Sequence, residues 1–224
     1  MTIETDTQTG PAPAPVLVLG ATSGIGAATV DEALRRGLPV RGFARGADSM
    51  APRDGLEPFA GNARNPEDLA RALDGVRAVI DALGVKKRPA MIWQRETLFS
   101  QSTAALINAM ATAGVSRLVV VTGFGAGRSR DAMSKLEKLG HGAFLGRVYE
   151  DKSRQEALIM SSGLDWTIAR PVILTNGART GKAKVLRMPA EWRNGLISRC
   201  DVAVYLVDAV VDRLDIRGDV VLAR

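Results

Sequence analysis

The sequence predicts an α/β fold: one domain built on a doubly wound, mainly parallel sheet with helices on both faces. Three observations carry that expectation. Short apolar runs alternate with helix-forming stretches throughout the chain after Pro15, and strands separated by helices are joined in parallel by crossover connections. The first apolar run, Val16 to Leu19, empties into Gly20-Ala21-Thr22-Ser23-Gly24-Ile25-Gly26 and then into the helix former Ala27 to Arg36. At 224 residues the chain can bury the core of one such domain, and it is too short for a ligand domain plus an independent catalytic one.

Each element has a local reason. Gly20 permits the bend that ends the first strand. The helix that follows closes at Gly37, and Pro39 to Ala44 supplies a second strand ending at Arg45. A weaker strand at Leu56 to Ala60 leads to a helix from Pro66 to Leu73, with Asn65 as its cap and Pro66 at the first helical position. Val76 to Leu83 reads as the fourth strand. A long helix from about Glu96 to Ala113 follows, with Phe99, Ala105, Leu106 and Met110 on its apolar stripe. Leu118 to Thr122 is the fifth strand. Gly123 to Gly146 is glycine-rich and charged, and is expected to be a functional excursion with a short helical stretch around Ala132 to Leu139. A helix at Asp151 to Ser162, a sixth strand at Leu164 to Ala169, a last helix at Asp201 to Val211 and a strand at Asp219 to Ala223 complete the alternation.

Residues 1–15 are polar and then alternate Pro with Ala, so they are expected to form a disordered tail ahead of a domain spanning 16–224. They lack the pattern of a secretory signal, and no later segment is long and apolar enough to cross a bilayer, which makes a cytoplasmic location the expectation. One cysteine, Cys200, and one histidine, His141, exclude an intramolecular disulfide and a metal-ligand cluster. His141 falls in Gly140-His141-Gly142 and reads as a loop residue. The net charge of +6 suits an anionic ligand, and the scarcity of aromatics argues against a nucleic-acid partner. Oligomeric state is not legible.

The glycine-rich turn between a strand and a helix is the form of a dinucleotide pocket. Gly20 bends the chain, Gly24 lets backbone approach a pyrophosphate, and Gly26 lets the helix pack closely on the sheet. The helix then aims its unpaired N–H groups and positive dipole end at the phosphates. The residue closing the second strand lies beside the adenosine ribose. That stretch, Arg41 to Gly46, holds no carboxylate, and Arg45 offers a guanidinium to a 2′-phosphate. NADP(H) is therefore favoured over NAD(H).

These residues resemble the short-chain dehydrogenase/reductase superfamily, in its atypical NAD(P)H-binding branch of NmrA-like and flavin reductase/biliverdin reductase B-like proteins. Gly20 to Gly26, Ala82-Leu83-Gly84, the stretch Ser162 to Pro171 and Ile197 to Ala203 carry the resemblance. It implies a Rossmann-type fold with Thr22, Ser23, Gly24, Ile25 and Gly26 on the pyrophosphate, Arg45 on the 2′-phosphate, and Asn62 and Ala63 beside the adenine. It further implies that Ala82, Leu83, Gly84 and Thr122 line the ribose and nicotinamide, with Pro171 and Val172 near the carboxamide. Ser198 and Asp201 read as a capping box, and Trp166 as a core aromatic.

The chain departs from the family in its chemistry. Tyrosine-dependent members carry Tyr-x-x-x-Lys, whereas here Tyr149 and Lys152 are three apart, a slip of about 100° around a helix. Tyr149 and Lys152 are the catalytic candidates, Lys152 doubling as a cofactor contact. Tyr149 could approach its partner if the helix began only at Asp151. Without a tyrosine acid, hydride would pass from NADPH to a small or planar acceptor such as a flavin, tetrapyrrole, quinone or carbonyl, with protons from solvent. Val85 to Trp93, Gly123 to Arg147 and Lys184 to Trp192 are the expected walls. Met91, Trp93, Met188 and Trp192 would give apolar faces there, and Lys86, Lys87, Arg88 and Arg187 charges for an anionic acceptor. A non-catalytic NADP(H)-sensing protein of the NmrA type is the rival reading.

Overall fold

A computed structural model describes residues 13–85 and 97–224, with the backbone alone for 135–145. Lys86, Lys87, Arg88, Met91 and Trp93 lie outside the described residues, as does most of the proposed tail. Pro15 already belongs to the domain: its carbonyl accepts the Arg77 N–H at 3.0 Å.

The strands are β1 (Val16–Leu19), β2 (Val40–Ala44), β3 (Leu56–Ala60), β4 (Ala78–Asp81), β5 (Arg117–Val121), β6 (Asp165–Pro171), β7 (Ile173–Thr175), β8 (Lys184–Leu186), β9 (Leu196–Ser198) and β10 (Gly218–Ala223). The helices are α1 (Gly24–Arg35), α2 (Pro66–Leu73), α3 (Leu98–Ala113), α4 (Lys135–Ser161) and α5 (Arg199–Val211). The main sheet runs β3-β2-β1-β4-β5-β6-β10-β8. It is parallel throughout except for β8, which pairs antiparallel with β10, while β7 and β9 form a small separate parallel pair.

Alternation along the strands sorts the core into two layers. Val16, Val18, Ile80 and Val119 face α1 and α5 through Val30, Ala33, Val202 and Leu206. Leu17, Leu19, Val79, Leu118 and Val120 face α2, α3 and α4 through Leu69, Leu73, Leu106, Met110 and Ile159. Two-sided burial of this kind is what a parallel sheet requires, and it is why its strands read as continuous apolar runs. No helix among the described residues is long and apolar enough to cross a membrane.

The caps follow the sequence. The Asn65 side chain accepts the Glu67 N–H at 3.0 Å at the start of α2, and Gly114 ends α3 in the left-handed region at φ +70°. Ser198 caps α5 by accepting the Asp201 N–H at 3.0 Å. The other half of the box differs from expectation, because the Asp201 carboxylate accepts from the Thr180 N–H and hydroxyl and from the Gly181 N–H, pinning that loop to the helix.

The largest departure is α4. The two expected helices, around Ala132 to Leu139 and Asp151 to Ser162, are one helix from Lys135 to Ser161, so the Gly140 to Gly142 stretch with His141 is helical rather than a loop. Each glycine costs a helix only about 1 kcal/mol relative to alanine, and the helix-forming residues between these glycines carry the chain through. The short strands β7, β8 and β9 escaped prediction because segments of this length carry too few residues to show a period.

Candidate functional site

Because the strands are parallel, their carboxyl ends share one edge of the sheet, where ligands bind in folds of this type. Nearly every residue expected to hold a cofactor lies there. Gly20 to Gly26 follow β1, Arg45 follows β2, and Asn62 and Ala63 follow β3. Ala82 to Gly84 follow β4, Thr122 follows β5, and Pro171 and Val172 close β6.

The three glycines have three different surroundings. Gly20 has φ +81°, and a Cβ there would stand 2.7 Å from the Ala82 carbonyl oxygen. A Cβ on Gly26 would lie 2.1 Å from the Gly20 carbonyl oxygen, so the first turn of α1 sits directly on the end of β1. Gly24 has φ +61°, and a Cβ there would meet nothing within 4 Å. The turn is thus packed on the protein side and open on the solvent side. Ser23 at the N-cap makes no side-chain bond to the first turn, and no acidic residue occupies that turn. Uncapped N–H groups beside a glycine with open space above it form a cradle that fits a pyrophosphate.

Arg45 is exposed, and it makes no ion pair or hydrogen bond to another described residue. Its neighbour Arg41 is instead committed to Glu57 and to the Ala72 and Asp74 carbonyls. Asn62 folds its own loop: its N–H reaches Asp68 and its side chain accepts the Arg64 N–H. Ala63 is buried against the α2 layer, so only its backbone could face a ligand.

The other side of the edge is polar and buried. Lys152 donates from Nζ to the Thr122 carbonyl at 2.7 Å and lies 4.3 Å from the centre of the Phe99 ring. Burial pulls its pKa down to about 8, against the raising influence of Asp81, Glu156 and Asp151. The Thr122 hydroxyl is turned inward and donates to Glu156 at 2.6 Å, so its side chain does not line the cleft. Asp81, fully buried at the end of β4, accepts the Leu83 N–H at 3.1 Å and the Gln155 side-chain amide at 3.3 Å. Burial raises its pKa to about 6.

Tyr149 lies within α4, not in a turn ahead of it. Its phenol oxygen packs against Gly123, where a Cβ would stand 2.9 Å away. Burial raises its pKa. On one continuous helix the three-residue spacing sets Tyr149 about 100° around from the position that would align it with Lys152.

The expected walls need correction. The segment after β5 is anchored: Gly125 donates to the Ser129 hydroxyl, Gly127 to the Ser153 hydroxyl, and Arg128 to Asp219. Trp192 is buried, with its ring stacked under the Arg128 and Arg170 guanidinium groups at 5.2 and 5.1 Å. Arg187 is paired with Asp215. Trp192 is thus a core residue and Arg187 is committed to Asp215, on a stretch that starts at β8, the edge strand beside β10. Met188 is exposed.

Sequence reasoning missed the buried polar groups Asp81, Gln155, Glu156 and Asp219. A carboxylate ending an otherwise apolar strand, as in Ala78-Val79-Ile80-Asp81, was the available signal.

A family model described as NAD(P)H-binding matches residues 20–213. Over 158 residues, 70% of the chain, the sequence is 29% identical to an NAD(P)H azoreductase from Xenophilus azovorans, and the chain spans 47% of that protein's length, about half. Among solved structures, ChuY, an anaerobillin reductase from Escherichia coli O157:H7, is 27% identical with a TM-score of 0.75, covering 93% of this chain and 96% of that one. A short-chain dehydrogenase/reductase from Veillonella parvula in complex with NADP shares the fold at a TM-score of 0.77 and 16% identity, covering 93% of this chain and 94% of that one.

Proposed function

The chain belongs to the NAD(P)H-binding family, and from that premise we propose that it is an NADPH-dependent reductase passing hydride to a small planar acceptor, of the azo, flavin, tetrapyrrole, quinone or carbonyl class. The observation that carries the reading is the open cradle at Gly24, with Arg45, exposed and without a partner among the described residues, after the neighbouring strand on the same sheet edge. Both the azoreductase and the anaerobillin reductase it resembles are named for reduction of small molecules, which favours an enzyme over a sensor.

When bound, the nicotinamide supplies the hydride; the protein's part is to hold and orient. The first turn of α1 receives the pyrophosphate, and Arg45 the 2′-phosphate. The Ala82 to Gly84 segment and the end of β6 flank the nicotinamide ribose and ring. Lys152 uses one of its three N–H donors on the Thr122 carbonyl and keeps others for the ribose hydroxyls.

Two substitutions separate the parts of this reading. Arg45→Ala should weaken NADPH by roughly 1.5–3 kcal/mol and leave NADH nearly unchanged, since a charge-assisted bond to the 2′-phosphate is all it removes. Fluorescence titration with both cofactors measures it, and equal losses would take Arg45 out of the phosphate site. Tyr149→Phe should keep at least a third or so of acceptor turnover. On the continuous helix α4 its phenol stands about 100° around from the position that would align it with Lys152, whereas a general acid is worth about 10²–10⁴-fold. Steady-state rates with azo, flavin and tetrapyrrole acceptors test it, and a loss of that larger size at unchanged NADPH affinity would make Tyr149 the proton donor.

A further inference from the structure

We propose that Asp81 is a positioning residue of the cofactor site, fixing the backbone that follows β4 and acting as the counter-ion that keeps Lys152 charged. The inference rests on the reading of Lys152 as a cofactor contact.

The geometry begins with α4, which reaches two adjacent strand ends at once. Lys152 bonds the Thr122 carbonyl beyond β5. Gln155, three residues on, bonds Asp81 at the end of β4 and the Thr103 hydroxyl of α3 at 3.0 Å. Asp81 and Val120 are register partners, so the two strand ends are neighbours. Through its other oxygen Asp81 accepts the Leu83 N–H, which sets the course of Ala82 to Gly84 beside Gly20.

A carboxylate with 1% of its surface exposed needs a charge to oppose it or a proton to neutralise it. Lys152 is the cation that lowers the pKa of Asp81, and Asp81 is the largest of the anionic influences raising that of Lys152. The other groups facing Lys152 are already committed. Glu156 is held by Arg170 and Thr122, and Asp151 accepts the Phe99 and Ser100 N–H groups at the start of α3. Among the described residues, Lys152 meets the Phe99 ring from α3 and the Val121 and Thr122 carbonyls from the end of β5.

The side-chain oxygen of Gln155 is buried without a partner among the described residues. That orphan makes Asp81→Asn a gentle test, because a rotated Gln155 amide can accept from the new Asn amide while the Asn oxygen keeps the Leu83 N–H. The variant removes charge and preserves hydrogen bonding. Asp81→Ser is the second variant, with a hydroxyl that can still accept from Leu83.

The experiment is NMR titration of Lys152 in protein carrying ¹³C at the lysine Cε, assigned with Lys152→Arg, beside NADPH affinity from pH 6 to 9. In the unsubstituted protein the Lys152 midpoint should lie at about 8, with a smaller inflection near pH 6 as Asp81 titrates. In both variants the inflection should vanish and the midpoint drop by about one unit. NADPH affinity at pH 8 should then fall by up to about fivefold, following the lost ammonium. An unmoved midpoint with no inflection overturns the proposal. A midpoint that moves while NADPH affinity does not follow also overturns it. Should the unsubstituted protein bind no NADPH, the functional reading fails, and the lysine titration still decides whether Asp81 governs Lys152.

Discussion

Gly24→Val is expected to abolish NADPH binding while leaving a folded protein. The backbone at Gly24 has φ +61°, a region that a β-branched residue enters only under strain. The space over it is open, so the side chain clashes with no protein atom and instead fills the volume the pyrophosphate needs. Loss of affinity by at least about 100-fold is expected, since on the proposed reading the backbone N–H groups of this turn approach the phosphates. Gly26 is the opposite case, where a Cβ would strike the Gly20 carbonyl and disturb the fold itself. Circular dichroism with a binding isotherm separates the two effects. Retained affinity in a folded Gly24→Val protein would remove this turn from the phosphate site.

The largest effect on stability is expected from Arg170→Met. Arg170 is fully buried, donating to Glu156 at 3.0 and 2.8 Å and also to Asp219, with the Trp192 ring against its guanidinium. Glu156 and Asp219 are themselves buried. Methionine fills much of the volume and leaves Glu156 without its hydrogen-bonded cation and Asp219 with Arg128 alone. Removing one partner of a buried charge network costs about 3–5 kcal/mol, chiefly from the uncompensated charge left behind. Urea unfolding should show a loss of that size, partly restored by adding Glu156→Gln. A loss below about 1 kcal/mol would mean that the network is far better solvated than its burial indicates.

This network also has a sign in pH. Hydrogen bonds and charge from Arg128 and Arg170 hold Asp219 below its ordinary pKa of 3.8, against the opposing effect of burial. Its contribution to stability is therefore present above that value and is lost as pH falls through the lower folded value.

The sequence made the glycine turn after β1 legible because backbone requirements are written in residue identity. A turn that needs positive φ and close packing needs glycine, and Gly20, Gly24 and Gly26 each meet a different part of that need. Asn65 with Pro66 marked a helix start in the same way. The fused helix α4 was not legible, because glycine lowers helix propensity without forbidding it and the deciding terms are tertiary. Trp192 was misplaced for a related reason. An aromatic in an irregular stretch suits a ligand wall or a core equally, and only the fold shows Arg128 and Arg170 stacked on it. Asp81 and Gln155 were overlooked because their roles depend on a contact across 74 residues of sequence, which no local pattern encodes.

Stopped-flow oxidation of the bound cofactor tests most directly whether this protein reduces an acceptor with NADPH. The protein is loaded with one equivalent of NADPH and mixed with azo dyes, flavins, quinones, biliverdin and simple aldehydes, following loss of the reduced-nicotinamide absorbance. The account predicts a single exponential with at least one planar acceptor, well above the rate in free solution, and a lower rate or weaker loading with NADH. NADPH that binds tightly and is oxidised by none of them above that background would contradict it, and would point to the sensing role instead.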